Sequence, residues 1–190
     1  MTNENTKELI LDKSMELFAK SGYAAASMRD ISRAVGIKAS SIYYHYDSKQ
    51  ALLDAMIERA DDLTSELKGV FSNALKKTDK VGKEMFVLTG LHFIKGYLMN
   101  KKIQPLLRIL ECERFHSKDA DKMWKKMMFD APMEHEMKTF EELMERGIIP
   151  KADASKLAFE YQAIISMGYF TGNDKATERS LGDFYDKFFL

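Results

Sequence analysis

Residues 38–46, KASSIYYHY, place ammonium, hydroxyl and imidazole groups side by side in one short segment. Serine and tyrosine hydroxyls can donate to phosphate oxygens or base edges, a lysine can bind either, and small residues let a backbone approach the bases. These residue types therefore indicate a surface that binds nucleic acid. The side chains predicted to face outward are Lys38, Ala39, Ser40, Ser41, Tyr43, Tyr44 and His45.

Two short helices around a glycine turn are predicted to hold these side chains. Ser27 followed by Asp30 is a capping-box pattern that opens a helix over residues 28–35, and Gly36 supplies the left-handed residue that ends it. A second helix is predicted over residues 39–46. This is the spacing of a helix-turn-helix, whose second helix lies in the major groove of DNA. The apolar residues predicted to lock the two helices together are Ile31, Val35, Ile37 and Ile42.

Apolar residues recur at helical spacing along almost the whole chain, which predicts an all-α fold. A first helix is predicted from about Thr6 to Lys20, and a fourth from Asp47 or Ser48 to about Leu75. Lys49 falls in the first turn of that fourth helix, where backbone N–H groups favour an anion. Further helices are predicted over residues 80–99, 103–116, 119–129, 133–146, 154–171 and 176–189, with breaks at Asn100, 130–132 and 147–150. The predicted domains are a DNA-binding domain over 1–47 and a ligand-sensing and dimerisation domain over 48–190.

The composition is that of an ordinary globular protein, with 190 residues, 45% apolar and 31% charged. The formal net charge is zero, but residues 20–50 carry five Lys or Arg side chains against two acids, which predicts a modest positive face. The single cysteine, Cys112, excludes an internal disulfide and fits a reducing compartment. No apolar run approaches the roughly 20 residues of a membrane span, and the N-terminus lacks a signal pattern, so a cytoplasmic protein without membrane contact is expected.

The segment ASMRDISRAVGIKASSIYYHYDSKQALLDAM closely resembles the N-terminal signature of the TetR/AcrR family of bacterial transcriptional regulators, over roughly residues 6–60. The resemblance implies a homodimer on a palindromic operator in double-stranded DNA, usually a repressor released by a small-molecule effector. It also implies that Ser27, Tyr43 and Lys49 anchor phosphates, while Lys38 to Ser41, Tyr44 and His45 face the bases. Lys38 departs from the family, which commonly has Ser or Thr there. Capping of the second helix is therefore expected to pass to Ser40, and Lys38 can reach a guanine or a phosphate.

The three tyrosines of this segment have two possible roles. A tyrosine near a helix end often packs in the core with its hydroxyl at the surface, and Tyr46 fits that description. A purely structural role for Tyr43 and Tyr44 would instead leave an exposed aromatic patch unexplained.

Methionine and aromatic residues are abundant between residues 85 and 144, which suits an adaptable apolar pocket. The alternative is ordinary core packing, since Met133, Met137, Phe140 and Met144 follow helical periodicity. The residues predicted to contact an effector are Phe86, Phe93, Tyr97, Arg108, Cys112, Phe115, His116, Trp124, Met127 and Met128.

Catalytic and metal sites are not predicted. Cys112 and His116 lie four residues apart and could share a zinc ion with Glu111 or Glu113, but a buried cysteine beside a surface histidine is the commoner arrangement. No serine or cysteine nucleophile with a companion base can be recognised. We therefore expect no cofactor, no metal and no enzymatic activity.

The last forty residues are predicted to form the contact with a second copy of the chain, because a helix over 154–171 and an aromatic C-terminus carry much apolar surface. The alternative is packing against the protein's own helices. The residues predicted at the dimer interface are Leu157, Tyr161, Ile164, Ile165, Gly168, Tyr169, Phe184 and Phe188.

The function expected is that of a sequence-specific DNA-binding regulator, a repressor released by an apolar or amphipathic ligand. Two other classes remain open from the residues. A helical enzyme or lipid carrier would show turnover or ligand capture without operator binding. A protein-interaction module would lack the salt dependence that phosphate contacts impose.

Overall fold

The computed structural model describes residues 3–76 and 78–189, with the backbone alone described for residue 3 and residues 67–76. No strand occurs in these two ranges, so the predicted all-α class is confirmed. Two π-helical turns, Ile94–Leu98 and Lys126–Asp130, follow the fifth and seventh helices directly. The helices are α1 Asn3–Ser21, α2 Met28–Val35, α3 Ala39–His45, α4 Lys49–Lys76, α5 Lys83–Phe93, α6 Gln104–Glu113, α7 Lys118–Lys125, α8 Ala131–Glu145, α9 Ala154–Thr171 and α10 Asp174–Phe188.

The chain divides into two compact units. Unit 1 contains the residues up to Ser65 together with Lys101–Lys122, and unit 2 contains Glu66–Asn100 and the residues from Met123 onward. Unit 1 therefore includes the first part of α4 and all of α6, which lie beyond the predicted boundary at residues 47 and 48. That boundary concerns function and stays a prediction.

The core of unit 1 is built where α1 packs against α2 and α6. Aliphatic and aromatic side chains are buried in this core, which removes apolar surface from water. This hydrophobic effect is the main force that holds short helices such as α2 and α3 in place. The large, fully buried side chains are Ile10, Phe18, Ile31, Ile42, Leu52, Met56, Ile103, Leu106, Leu107 and Leu110.

The core of unit 2 depends on close approach between α5, α9 and α10. A Cβ added at Gly168 of α9 would lie 2.6 Å from Thr177 Oγ1, and one at Gly90 of α5 would lie 2.7 Å from Leu181 Cδ1. Phe86 stacks on Phe184 with the ring planes 2° apart and their centroids 5.7 Å apart. Glycines at the crossings thus let these three helices enclose an aromatic cluster.

The predicted break at residues 130–132 is wrong. Asp130 and Ala131 both have helical dihedral angles, so the π-helical turn leads directly into α8. Pro132 has no N–H to donate to the carbonyl of Met128, four residues earlier. The side chain of Gln162 donates its Nε2 to that carbonyl at 2.6 Å, and this bond from α9 replaces the missing one.

The other predicted breaks are confirmed. The helical run that begins with α5 ends at Leu98, just before Asn100, and α8 ends at Glu145, followed by Gly147 with a φ of 68°. Among the described residues, no helix combines the length and the apolarity that crossing a bilayer requires.

Candidate nucleic-acid interface

The start of α2 has the predicted capping box. The Ser27 hydroxyl donates to Asp30 Oδ2 at 2.5 Å, the Ser27 backbone N–H donates to the same oxygen at 3.0 Å, and the Asp30 N–H donates to Ser27 Oγ at 3.2 Å. The two bonds from Ser27 hold the pKa of the Asp30 carboxyl below its ordinary value. α2 ends at Gly36 with a φ of 78°, as predicted for a left-handed cap.

Two isoleucines fix α3 on α2. Ile31 and Ile42 have no exposed surface, and Val35 and Ile37 are half-buried beside them. Since α3 is only seven residues long, burying Ile42 leaves most of its other side chains facing solvent.

The solvent-facing side of α3 carries the residues predicted to contact DNA. Tyr43 is 50% exposed and Tyr44 is 77% exposed. His45 is half-buried, with its ring edge-on to Tyr44 at a centroid distance of 5.3 Å. The remaining four residues of the predicted surface, Lys38, Ala39, Ser40 and Ser41, are all exposed. The structure thus brings the predicted set together on one accessible surface, which we call the α3 face.

Tyr46 does not belong to the α3 face. It is 6% exposed, and burial followed by the charge of Glu8 raises the pKa of its phenol to about 12. The alternative of core packing is confirmed for this tyrosine.

The predicted cap of α3 is wrong. The N-cap residue is Lys38, with φ −67° and ψ 146°, and its side chain accepts no hydrogen bond. Ser40 already lies in the first turn of the helix, whereas a capping side chain must come from the residue that precedes it. For α4 the choice between Asp47 and Ser48 is settled, because Ser48 Oγ accepts the N–H of Ala51 at 3.1 Å.

Lys49 lies in the first turn of α4, but its ammonium group points into unit 1. Nζ donates to the carbonyls of Tyr23 at 2.6 Å, Ala26 at 3.0 Å and Ala24 at 3.2 Å. It also lies 4.4 Å from the centroid of the Tyr23 ring. A lysine has three N–H donors, so these bonds use all of them. The side chain therefore does not have the outward direction that the predicted phosphate contact requires.

Positive charge near the α3 face is sparse. Arg33 pairs with Asp30 at 3.4 Å, so its charge is partly compensated. Lys20, Arg29 and Lys38 are exposed and form no ion pair with any residue that the structure describes. The α3 face thus carries few cations, and most of its polar groups are hydroxyls.

One residue that joins α4 to α1 within unit 1 was not identified from the sequence. Arg59 of α4 has a side chain only 12% exposed, and its Nη1 lies 2.7 Å from Asp12 Oδ1 and 3.3 Å from Glu8 Oε2, both on α1. The sequence feature that distinguishes Arg59 is that it is the single basic residue among five acids in residues 51–66. Arginine forms strong charge-assisted hydrogen bonds with carboxylates, but the sequence alone does not show which acids it meets.

The residues predicted to bind an effector fall into two groups. Unit 2 holds the aromatic and methionine residues, of which Tyr97, Trp124, Met127 and Met128 are buried and Phe86 and Phe93 are half-buried. Arg108, Cys112, Phe115 and His116 belong to unit 1 and are exposed. Two open surface depressions, of about 420 and 540 Å³, are lined by other residues, from α1 and α2 and from α10. The effector contacts stay a prediction.

A metal site at Cys112 and His116 has no geometric support. Within the part of the chain that the structure describes, no group of three His, Cys, Asp or Glu side chains could hold a metal ion. Cys112 is exposed, so it is also not the buried cysteine considered as the alternative.

The predicted dimer interface lies largely on the wrong side of α9. The most apolar stripe of α9, together with Phe184 of α10, faces the core of unit 2, so its residues are not available to a partner. Ile164, Tyr169 and Phe188 are half-buried. The buried residues are Leu157, Tyr161, Ile165, Gly168 and Phe184. The apolar side chains exposed along α9 are instead Phe159 at 67%, Met167 at 62% and Phe170 at 50%, with Ala163 between them.

The helix-turn-helix matches known proteins in sequence. Residues 10–56 match the family described as bacterial regulatory proteins, tetR family. Over 52 residues the chain is 40% identical to IcaR of Staphylococcus epidermidis, the HTH-type negative transcriptional regulator of the biofilm operon icaADBC. That match covers 27% of this chain and 28% of IcaR, so it concerns the N-terminal region only.

The fold of the whole chain matches solved structures. A TetR family transcriptional regulator from Pseudomonas syringae pv. tomato superposes with a TM-score of 0.71 at 15% identity, over 99% of this chain and 98% of that one. The complex of SmeT with triclosan gives a TM-score of 0.75 at 15% identity, over 98% of this chain and 92% of SmeT. At these identities the likeness shows the fold. The N-terminal match and the fold agree, since residues 10–56 match the tetR family and the whole chain has the fold of solved TetR-family regulators.

Proposed function

We propose that this protein is a homodimeric, sequence-specific DNA-binding regulator, and that it represses transcription until a small apolar or amphipathic ligand releases it from a palindromic operator. The observation that carries the proposal is the α3 face. Two tyrosines on this face are 50% and 77% exposed, and they stand on a helix fixed by the fully buried Ile42. Exposed rings and hydroxyls at helix-turn-helix spacing suit contact with DNA.

The groups of the α3 face have separate roles in this proposal. Tyr43 donates its hydroxyl to a phosphate and thereby fixes the register of the protein on the duplex. Ser41, Tyr44 and His45 contact base edges in the major groove, and Lys38 reaches a guanine or a phosphate. Ser27 contributes by setting the start of α2, since its hydroxyl and its backbone N–H are both bonded to Asp30.

The dimer contact is proposed on the exposed side of α9, in place of the buried stripe. Phe159, Ala163, Met167 and Phe170 recur at helical spacing and remain in solvent in the single chain. A contiguous apolar surface of this kind is typical of a protein interface, and a two-fold contact presents the same helix from both copies. Two α3 helices about 34–36 Å apart can then occupy successive major grooves on one face of the DNA.

Repression and release by a ligand rest on the relatives. IcaR is a negative transcriptional regulator, and SmeT has been solved with triclosan. For this chain, the ligand must bind more tightly to a conformation in which the spacing of the two α3 helices does not fit the operator. A coupling of about 1–3 kcal/mol between the ligand and DNA sites would be typical.

The proposal can be tested by selecting duplexes from a randomised pool with the purified protein and measuring the affinity of the selected DNA at two salt concentrations. We expect an enriched palindrome with half-sites about 10–10.5 base pairs apart, or a multiple of that spacing, and an affinity that falls as salt rises. Recovery of no sequence, or salt-independent binding, would contradict a DNA-binding function.

A further inference from the structure

The turn between α1 and α2 brings three carbonyl oxygens together around one ammonium group. Tyr23, Ala24 and Ala26 direct their carbonyls at Lys49 Nζ within 2.6–3.2 Å. Each carbonyl carries partial negative charge, so three of them facing one point repel one another unless a cation lies between them. The conformation of residues 22–27 therefore depends on the Lys49 charge, which arrives from 23 to 26 residues later in the chain.

The surroundings of Lys49 hold its ammonium group in this position. The face of the Tyr23 ring covers it at 4.4 Å, a distance at which a cation and an aromatic ring attract. The Tyr23 hydroxyl in turn donates to Gln50 Oε1 at 3.3 Å, which joins the turn to α4 a second time. Phe18 packs edge-on against the same ring at 5.1 Å, so Tyr23 is itself fixed to α1.

The carbonyls that Lys49 holds lead directly into the DNA-facing helices. Ala26 precedes Ser27, the cap of α2, and α2 packs against α3 with Ile31 and Ile42 fully buried. A displacement of the α1–α2 turn would therefore move the start of α2, and with it the α3 face.

We propose that Lys49 is a positioning residue for DNA binding, which holds the α1–α2 turn through three carbonyls, and that it contributes no phosphate contact of its own. The inference rests on the proposed function. It differs from the phosphate role implied by family resemblance, because the three donors of Lys49 are already used within unit 1.

The deciding experiment compares Lys49→Met with Lys38→Met on the selected duplex. Both variants remove one positive charge, but Lys38 is exposed at the start of α3. For Lys49→Met we expect about tenfold weaker binding and an unchanged slope of log affinity against log salt. The affinity falls because a smaller fraction of molecules has the α1–α2 turn in the conformation that binds DNA. For Lys38→Met we expect the slope to flatten by about 0.9 per lost contact, or about 1.8 for a dimer. A flattened slope for Lys49→Met, or an unchanged affinity, would overturn the proposal.

A second variant keeps the charge of Lys49 and removes its ring partner. With Tyr23→Leu we expect weaker DNA binding and an unchanged slope of log affinity against log salt. The double variant with Lys49→Met should lose less binding free energy than the sum of the losses of the two single variants. If the ammonium group were a phosphate ligand, freeing it from Tyr23 would instead preserve or increase affinity and slope. That result would also contradict the inference.

A measurement without DNA separates this inference from the proposed function. In the free protein, Lys49→Met should speed hydrogen exchange at the amides of residues 22–31 and leave those of α10 unchanged. No change at residues 22–31 would refute the positioning role even if the wild-type protein binds DNA. Faster exchange there, in a protein that selects no duplex, would refute the proposed function and leave the effect of Lys49 on the turn intact.

Discussion

Gln162 donates its side-chain N–H to the backbone carbonyl of Met128, which lies four residues before Pro132. Both Gln162 and Met128 are buried, at 2% and 0% exposure. The sequence places a proline at the start of α8, and a side chain from another helix supplies the hydrogen bond that the proline cannot make.

This pairing predicts a specific coupling between residues 132 and 162. Gln162→Met should lower the free energy of unfolding by about 1–3 kcal/mol, because the Met128 carbonyl is left buried without a donor. In a Pro132→Ala background the new N–H can serve that carbonyl, so the loss should be smaller. Urea unfolding of the four proteins measures the coupling, and equal losses in both backgrounds would rule out this account.

The glycine at the crossing of α9 and α10 should not tolerate a methyl group. Gly168→Ala would bring Cβ to 2.6 Å from Thr177 Oγ1 and 2.9 Å from Ile94 Cδ1, so we expect a loss of about 1–3 kcal/mol despite the better helix propensity of alanine. Gly182→Ala is the matched control, because its new Cβ meets only the flexible end of Lys83, at 3.1 Å. There alanine should stabilise by up to about 1 kcal/mol. Thermal unfolding that ranks the two variants the other way would contradict the packing argument.

The capping box predicts a pH dependence of stability. Hydrogen bonds from Ser27 lower the pKa of Asp30 below its ordinary value of 3.8. A group whose pKa is lower in the folded state stabilises that state above its unfolded pKa, and the contribution disappears as pH falls through the folded pKa. The melting temperature of Asp30→Asn should therefore lie below that of the wild type near neutral pH, and the gap should narrow below pH 3.8. Asp79→Asn, at an exposed loop position, should show no such narrowing.

The proposed roles on the α3 face predict two kinds of defect. Tyr43→Phe should weaken binding to all duplexes alike, because a phosphate carries no sequence information. Ser41→Ala and Tyr44→Phe should change which duplexes are selected, with about 1–3 kcal/mol lost at the affected base pair. Repeating the selection with each variant distinguishes the two, and uniform losses from all three would refute the assignment of roles.

The exposed side of α9 should control assembly. Met167→Glu should dissociate the dimer, because it places a charge in the centre of the proposed contact. Phe115→Glu is the control, since Phe115 is an apolar residue at 80% exposure that lies outside α9. Sedimentation or light scattering gives the mass, and a Met167→Glu protein that remains dimeric would exclude this surface.

Local patterns in the sequence were sufficient for the helix-turn-helix. The bounds of α2, its capping box and the left-handed Gly36 all depend on residues within a few positions of one another. The outward direction of Tyr43 and Tyr44 follows from the helical period once Ile42 is taken as the buried residue. The α3 face could therefore be predicted almost completely.

Three other features were decided by contacts between distant residues. α9 is apolar on both sides, so its periodicity could not show that Leu157 and Ile165 face the protein's own core while Phe159 and Met167 face solvent. Pro132 lies in the first turn of α8 within a continuous helical run, and Gln162 donates to the carbonyl of Met128 that the proline cannot serve. Lys49 has the charge and the sequence position expected of a phosphate ligand. Its ammonium group nevertheless donates to carbonyls of residues more than twenty positions earlier in the chain. Sequence patterns fix which groups are available, whereas the packing of distant segments decides which partner each group meets.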